Sequence, residues 1–144
     1  LSIDCKGDSH VDMHHSIEDI GIVLGQALAD CLGDKEGIER YGFYYVPMDE
    51  ALARVVVDFC GRIGFVWNVV LTNERIGNVE TELFRHFFKS VAENARMNLH
   101  AELFYGQDHH HCLEALFKAF ARAVSMAISP SRRISGIPSS KGAL

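Results

Sequence analysis

Two short stretches of the chain carry the residue types that bind metal ions, His14-His15-Ser16-Ile17-Glu18 and His110-His111-Cys112-Leu113-Glu114. In each, the first His and the Glu stand four residues apart, which on a helix sets imidazole and carboxylate on one face, within reach of one ion. The second His of each pair is turned about 100° around the helix axis, so it serves a different ion or none. Nitrogen and carboxylate donors without cysteine favour Mn, Fe, Zn or Ni over a closed structural zinc site. Catalysis needs coordination positions left open. One His-His pair alone reads as a solvated surface feature, whereas two copies in register, each with its Glu, read as metal donors.

The two stretches belong to a longer internal match. Asp12-Met13-His14-His15-Ser16-Ile17-Glu18 lines up with Asp108-His109-His110-His111-Cys112-Leu113-Glu114 without a gap, at an offset of 96 positions. Each copy is followed by a helical pattern and preceded by a strand-like alternation, Leu1 to Cys5 in one and Leu99 to Leu103 in the other. This predicts an α+β fold of two similar halves arising by internal duplication, each half a mostly antiparallel sheet packed on two helices. Residues 1–33 read as the end of a first half, 34–128 as a complete second half, and 129–144 as a tail of prolines, serines and glycines. His86 precedes His110 on a helical segment, and its repeat counterpart would lie upstream of Leu1; it is a candidate further donor. His100 reads as a structural strand residue, and His10 and His109, which flank the pairs, as solvated or supporting groups.

The elements that must position these donors follow from the hydrophobic periodicity. Ile17 to Leu32 repeats apolar residues at helical spacing and stops at Gly33. Tyr41 to Val46, Ala51 to Phe59 and Gly64 to Leu71 read as three antiparallel strands, with turns at Pro47-Met48-Asp49 and Gly61-Arg62. A helix capped near Thr81 runs to Ala95, Leu99 to Tyr105 forms a strand, and Cys112 to Ile128 forms a second long helix.

Composition bounds the partners. With 144 residues, 48% hydrophobic and 23% charged, the chain has the balance of one ordinary globular domain. A formal charge of -5 and no basic run longer than Arg132-Arg133 argue against nucleic acid or an anionic membrane as partner. Cys5, Cys31, Cys60 and Cys112 are scattered in apolar stretches and read as reduced core residues of a cytoplasmic protein. No apolar run approaches the roughly 20 residues that span a bilayer, and no signal pattern opens the chain. The alternation at Leu1-Ser2-Ile3-Asp4-Cys5 suggests that the sequence begins inside an element.

Six stretches, in this order, give the chain a family likeness: Asp12 to Gly21, Pro47-Met48-Asp49-Glu50-Ala51-Leu52, Asp58-Phe59-Cys60-Gly61-Arg62, His86-Phe87-Phe88, His110 to Ala119, and Pro138-Ser139-Ser140-Lys141-Gly142. Across essentially its whole length the sequence resembles the imidazoleglycerol-phosphate dehydratases. The resemblance implies two α+β halves of the ribosomal protein S5 domain 2-like type, assembled as a homo-oligomer of 24 subunits with active sites between subunits. It implies two Mn2+ ions per site, held by His14, His15, Glu18, His86, His110, His111 and Glu114, with His14, Glu18, His110 and Glu114 closest to the chemistry. The reaction implied is loss of water from imidazole glycerol phosphate to give imidazole acetol phosphate in L-histidine biosynthesis. The proton lost is barely acidic, so stabilising the electron-rich ring is the task for which a pair of ions is suited.

Phosphate recognition calls for cations and hydroxyl donors. The resemblance assigns it to Arg40, Arg62, Lys118, Ser140 and Lys141; taken alone, each reads as surface polarity, Lys118 least so because it lies one turn beyond Glu114. The family's opening Glu-Thr and Phe-Leu-Asp-His segments have no match here, so one donor His and a proposed proton-transfer glutamate are missing from this sequence, and the chain by itself is not expected to be fully active. Asp108 stands where the family often has Asn, a change expected to bear on groups around the metal more than on the metal. From the residues alone, a dinuclear metallohydrolase and a non-catalytic metal-binding assembly protein remain the alternatives.

Overall fold

Alternation of small and β-branched residues in Ala51-Leu52-Ala53-Arg54-Val55-Val56-Val57 buries Ala51, Ala53, Val55 and Val57 on one face and leaves Leu52, Arg54 and Val56 on the other, as a half-buried strand requires. In the computed structural model, which describes residues 1–7, 11–142 and 144, this segment is the second strand of an α+β domain. Along the chain the elements are α1 (His14–Leu32), β1 (Tyr41–Met48), β2 (Ala51–Asp58), β3 (Gly64–Asn68), β4 (Arg75–Ile76), β5 (Val79–Glu80), α2 (Thr81–Asn94), β6 (Asn98–Tyr105) and α3 (His109–Ala127).

The main sheet has the order β1-β2-β6-β3. β1 and β2 form an antiparallel hairpin closed by Asp49 and Glu50, Asp49 sitting in the left-handed region at φ 46. The turn therefore lies one residue later than expected, because Pro47 and Met48 pair with Leu52 and Ala51. β6 pairs antiparallel with β2. β3 runs parallel to β6 and does not touch β2, which corrects the expectation of three consecutive antiparallel strands. The physical reason is burial: β6 brings Leu99 and Ala101, both essentially inaccessible, to the central position beside Val55 and Val57. The partly exposed β3 takes the edge, and α2 provides the helical crossover that a parallel pair needs.

α3 lies across β1 and β2 and buries Leu116, Ala119 and Ala123. Its approach to β1 is close enough that a Cβ on Gly42 would collide with the Ala123 carbonyl. An aromatic cluster joins α2, α3 and β3: Phe88 lies 4.8 Å from Phe117, 5.4 Å from Phe120 and 5.4 Å from Trp67, ring centre to ring centre. Burying a side chain such as Phe88 contributes about 1.5–3 kcal/mol. α1 stacks on α2 through Gly21 and Gly25, where an added Cβ would stand 2.8 Å from the Phe87 carbonyl oxygen and 2.7 Å from the Val91 carbonyl oxygen. Those two glycines set the helix separation.

Two further expectations are corrected. Leu1 to Cys5 is not a strand: no described strand lies beside it, and a strand needs a ladder partner. Cys5 and Cys31 are exposed, while Cys60 and Cys112 are buried as expected; the exposed pair lies where no described element of this chain covers the surface. All four thiols are free. Among the described residues no helix is long and apolar enough to cross a membrane.

Candidate active site

Both His-His motifs occupy the first turn of a 19-residue helix, because α1 begins at His14 and α3 at His109, three residues ahead of the apolar periodicity in each case. Aspartates preceding the pairs start the helices. Asp12 accepts from the His14 backbone N–H at 2.8 Å. Asp108 accepts from the N–H groups of His110 and His111 at 2.7 and 3.4 Å, which satisfies donors that a helix start leaves unpaired and holds the Asp108 carboxyl below its usual range. Asp108 thus acts as a helix cap.

The four-residue spacing does what it suggests. His14 Nε2 lies 3.6 Å from a Glu18 carboxylate oxygen, and His110 Nε2 lies 3.2 Å from one of Glu114. His86, on α2, brings its ring to 5.0 Å from that of His14. Within each pair the two imidazoles stand apart, their centres 6.0 Å and 6.1 Å from one another, with the second His turned to other neighbours. The two motifs flank the β4–β5 hairpin, and Arg75 of that hairpin lines both the cleft beside His14 and the one beside His110. Among the described residues no three donors converge on one point tightly enough to hold an ion. Each motif is an open half-site of exposed or half-buried donors.

Glu114 sits between Lys118 and His110. Lys118 Nζ approaches one carboxylate oxygen at 2.6 Å while His110 faces the other; Lys118 first, then His110, holds the Glu114 carboxyl below its ordinary range. His111 turns onto the β1–β2 turn, where Glu50 faces its Nδ1 at 2.8 Å and Asp49 its Nε2 at 3.5 Å. Glu50 also accepts from the backbone N–H groups of Asp108 at 2.7 Å and Gln107 at 3.1 Å. The Asp108 amide, the His111 ring and the Gln107 amide together lower the Glu50 carboxyl to about 2, and Glu50 in turn raises the His111 imidazolium. The sequence reading passed over Asp49 and Glu50; two adjacent carboxylates in a hairpin turn were the available signal. The Cys112 thiol beneath His111 is pushed up by burial.

His109 is half-buried, and its Nε2 accepts from the Thr72 backbone N–H at 3.1 Å, tying α3 to the segment ahead of β4. His100 is exposed on the outer sheet face beside Arg54 and Glu102. His10 lies outside the described residues.

The residues expected at phosphate divide between two places. Lys118 stands with Glu114 and Met48 near the β1–β2 turn. Arg40, Arg62, Ser140 and Lys141 gather at the opposite end of the sheet. Arg40, at φ 70 just before β1, gives Nε and Nη2 to the two oxygens of Asp58 at 2.7 and 3.1 Å and Nη1 to the Pro138 carbonyl at 2.8 Å. Asp58 keeps the guanidinium firmly charged. The carbonyl of Arg62 accepts from Asn98 at 2.8 Å, and the side chains of Arg62, Ser140 and Lys141 are exposed. At about 3.3 Å of rise per residue, the eight residues of β1 separate this group from the α3 histidines by roughly 25 Å.

A sequence model described as imidazoleglycerol-phosphate dehydratase matches residues 1–124. The chain is 52% identical over its full length to the imidazoleglycerol-phosphate dehydratase of Cellvibrio japonicus and 50% identical to that of Azotobacter vinelandii, covering 74% of each. The structure superposes on the crystal structure of imidazoleglycerol-phosphate dehydratase from Staphylococcus aureus with a TM-score of 0.83 and 46% identity, over 89% of this chain and 72% of that one. A Pyrococcus furiosus structure of the enzyme in complex with (S)-C348 gives 0.78 and 33% identity, over 91% and 71%. Model, relatives and structures agree: the chain belongs to the imidazoleglycerol-phosphate dehydratase family, hydro-lyases of histidine biosynthesis.

Proposed function

We propose that this chain dehydrates imidazole glycerol phosphate to imidazole acetol phosphate using two Mn2+ ions per site, with His14, His15, Glu18, His86, His110, His111 and Glu114 as donors. The observation that carries the proposal is the pair of matched Nε2 to carboxylate approaches, 3.6 Å at His14–Glu18 and 3.2 Å at His110–Glu114, with the His86 ring 5.0 Å from His14. Nitrogen and oxygen donors on open half-sites suit a divalent ion with exchangeable positions. Such an ion, once bound, supplies Lewis acidity that stabilises negative charge on the substrate.

The chain's own groups account for the remaining work. Glu114, held ionised by Lys118 and His110, is a donor and charge stabiliser and not a proton source near neutral pH; Glu18 occupies the matching place beside His14. Arg40, Arg62, Lys118, Ser140 and Lys141 hold the substrate phosphate by charge and hydrogen bonding. After its bonds to Asp58 and Pro138, the Arg40 guanidinium still has N–H groups to offer. Since Arg40 and the α3 histidines lie at opposite ends of one sheet, the Arg40 group and the metal ligands would meet when subunits assemble, while Lys118 already stands beside Glu114. That supports a homo-oligomer with shared sites, for which we propose the 24-subunit particle, working in the cytoplasm. The doubled motif at the heads of two helices of equal length likewise supports an internal duplication.

Elemental analysis of the purified protein, with an assay for the acetol product, tests the reading. Glu114→Gln is expected to lower bound Mn2+ and the rate together; unchanged metal content and assembly would remove Glu114 from the donor set. Release of inorganic phosphate without the acetol product would instead favour a metallohydrolase.

A further inference from the structure

The turn between β1 and β2 does more than reverse the chain. Glu50 in that turn spends both carboxylate oxygens on the start of α3: one faces His111 Nδ1 at 2.8 Å, the other accepts from the backbone N–H groups of Gln107 and Asp108 at 3.1 and 2.7 Å. The loop that precedes the helix and the ring on its first turn are therefore fixed by one side chain from another element. A carboxylate can only accept, so it selects the imidazole form that carries its proton on Nδ1 and leaves the Nε2 lone pair bare. Asp49, the other residue of the turn, stands 3.5 Å from that nitrogen. The same turn thus aims the ring and adds negative charge beside its donor atom.

We propose that Glu50 is the positioning residue for His111, fixing its tautomer and ring orientation so that Nε2 is presented to a divalent cation. This rests on the reading of His111 as a metal donor. A carboxylate on the remote ring nitrogen of a ligating histidine orients the ring and raises its basicity, and losing such a partner typically weakens metal binding by about 10- to 100-fold. Glu50 touches neither the substrate nor the ion; its effect passes through His111.

The test is a double-mutant cycle on Mn2+ affinity, measured on the purified protein by the electron paramagnetic resonance of the free ion. Glu50→Ala should weaken Mn2+ binding by about 10-fold or more. Glu50→Gln keeps one acceptor, which the two backbone amides take, and turns its NH2 towards Nδ1; that favours the tautomer protonated on Nε2, so it should weaken binding at least as much as Glu50→Ala. His111→Ala should itself weaken binding, and Glu50→Ala added to it should change nothing further, because the group through which Glu50 acts is gone. Additive losses in the double variant would overturn the proposal, since they would mean that Glu50 supports the fold at large. Unaltered affinity in Glu50→Ala would also overturn it while leaving His111 as a donor. Unaltered affinity in His111→Ala would instead defeat the donor reading, and the proposal with it. Should Glu50→Ala fail to fold, Glu50→Gln decides: it keeps the acceptor for the two amides but donates to Nδ1 in place of accepting, so Mn2+ binding should weaken by about 10-fold or more, and unaltered affinity refutes the proposal.

Discussion

Replacing Asp58 by Asn isolates one interaction whose loss can be followed in both stability and substrate binding. Asp58 receives Nε and Nη2 of Arg40 on separate oxygens, at 2.7 and 3.1 Å. The Asn side chain keeps one acceptor and turns an amide NH2 towards the other guanidinium nitrogen, so one charge-assisted hydrogen bond and the ion pair are lost. Exposed ion pairs contribute about 0–1 kcal/mol, and hydrogen bonds to charged groups about 1.5–3 kcal/mol. With Arg40 14% and Asp58 22% exposed, the pair belongs towards the upper range, at about 2 kcal/mol. For a chain of this size that corresponds to a Tm lowered by roughly 4–8 °C. Arg40 also holds the Pro138 carbonyl, so Asp58→Asn frees the segment carrying Ser140 and Lys141. If those residues bind phosphate, KM rises by at most about 30-fold, reached only where the whole 2 kcal/mol must be recovered on binding, with kcat nearly unchanged because the lost interactions are shared by ground and transition states. Differential scanning fluorimetry and steady-state kinetics give both numbers. A Tm within about 1 °C of the parent, measured alongside an unchanged KM, would refute the reasoning; a lowered Tm with unchanged KM would detach the clamp from substrate binding.

Gly25→Ala tests the contact between α1 and α2: the new methyl would stand 2.7 Å from both the Val91 carbonyl oxygen and the Asn94 Cβ. Overpacking of about 1–3 kcal/mol should outweigh the gain of about 1 kcal/mol in helix propensity, so thermal denaturation should show a lower Tm, and a higher one would mean that the helices move apart freely. The Glu50–His111 pair predicts a pH window in the metal-free protein. Glu50, lowered from 4.5 to about 2, contributes stability above pH 4.5 that is lost as pH falls through about 2. His111, raised from 6.5, contributes stability below pH 6.5 that is lost as pH rises through its folded value. The pair is therefore fully effective between about pH 4.5 and 6.5, and urea midpoints should show its alkaline loss in the parent and not in Glu50→Gln. Saturating Mn2+ should abolish that loss, since a ligating imidazole must be neutral; an alkaline flank identical in Glu50→Gln would contradict the pairing.

What could be read from the residues was local. The i, i+4 spacing of His14 with Glu18 and of His110 with Glu114 needs only the helical repeat, and it appears in the structure as two short approaches. Periodicity likewise gave the helices, and Gly33 closes α1 as expected, at φ 50 with its N–H on the Ala29 carbonyl. Sheet order was not legible. The parallel placement of β3 depends on which strand wins the central position, and that contest is decided by the burial of Leu99 and Ala101 against Val55 and Val57, far away in sequence. Leu1 to Cys5 has the alternation of a strand but no described neighbour to pair with, and the same lack of cover explains the exposure of Cys5 and Cys31.

The site shows the same division between near and far, with a consequence for how the enzyme must work. The proposed donors are close in sequence and found by spacing; the group that aims one of them comes from another element, as Glu50 does for His111. Of the phosphate candidates, Lys118 stands beside Glu114, whereas Arg40, Arg62, Ser140 and Lys141 are separated from the α3 histidines by the length of β1. Arg40 is not a loose surface cation waiting for an anion: its guanidinium is already committed to Asp58 and Pro138, so it is rigid before substrate arrives and loses little freedom on binding. The Arg40 group at one end of the sheet and the α3 histidines at the other are too far apart to close on one small molecule within a single chain. The proposed reaction therefore calls for an assembly in which the two groups meet across a boundary between chains.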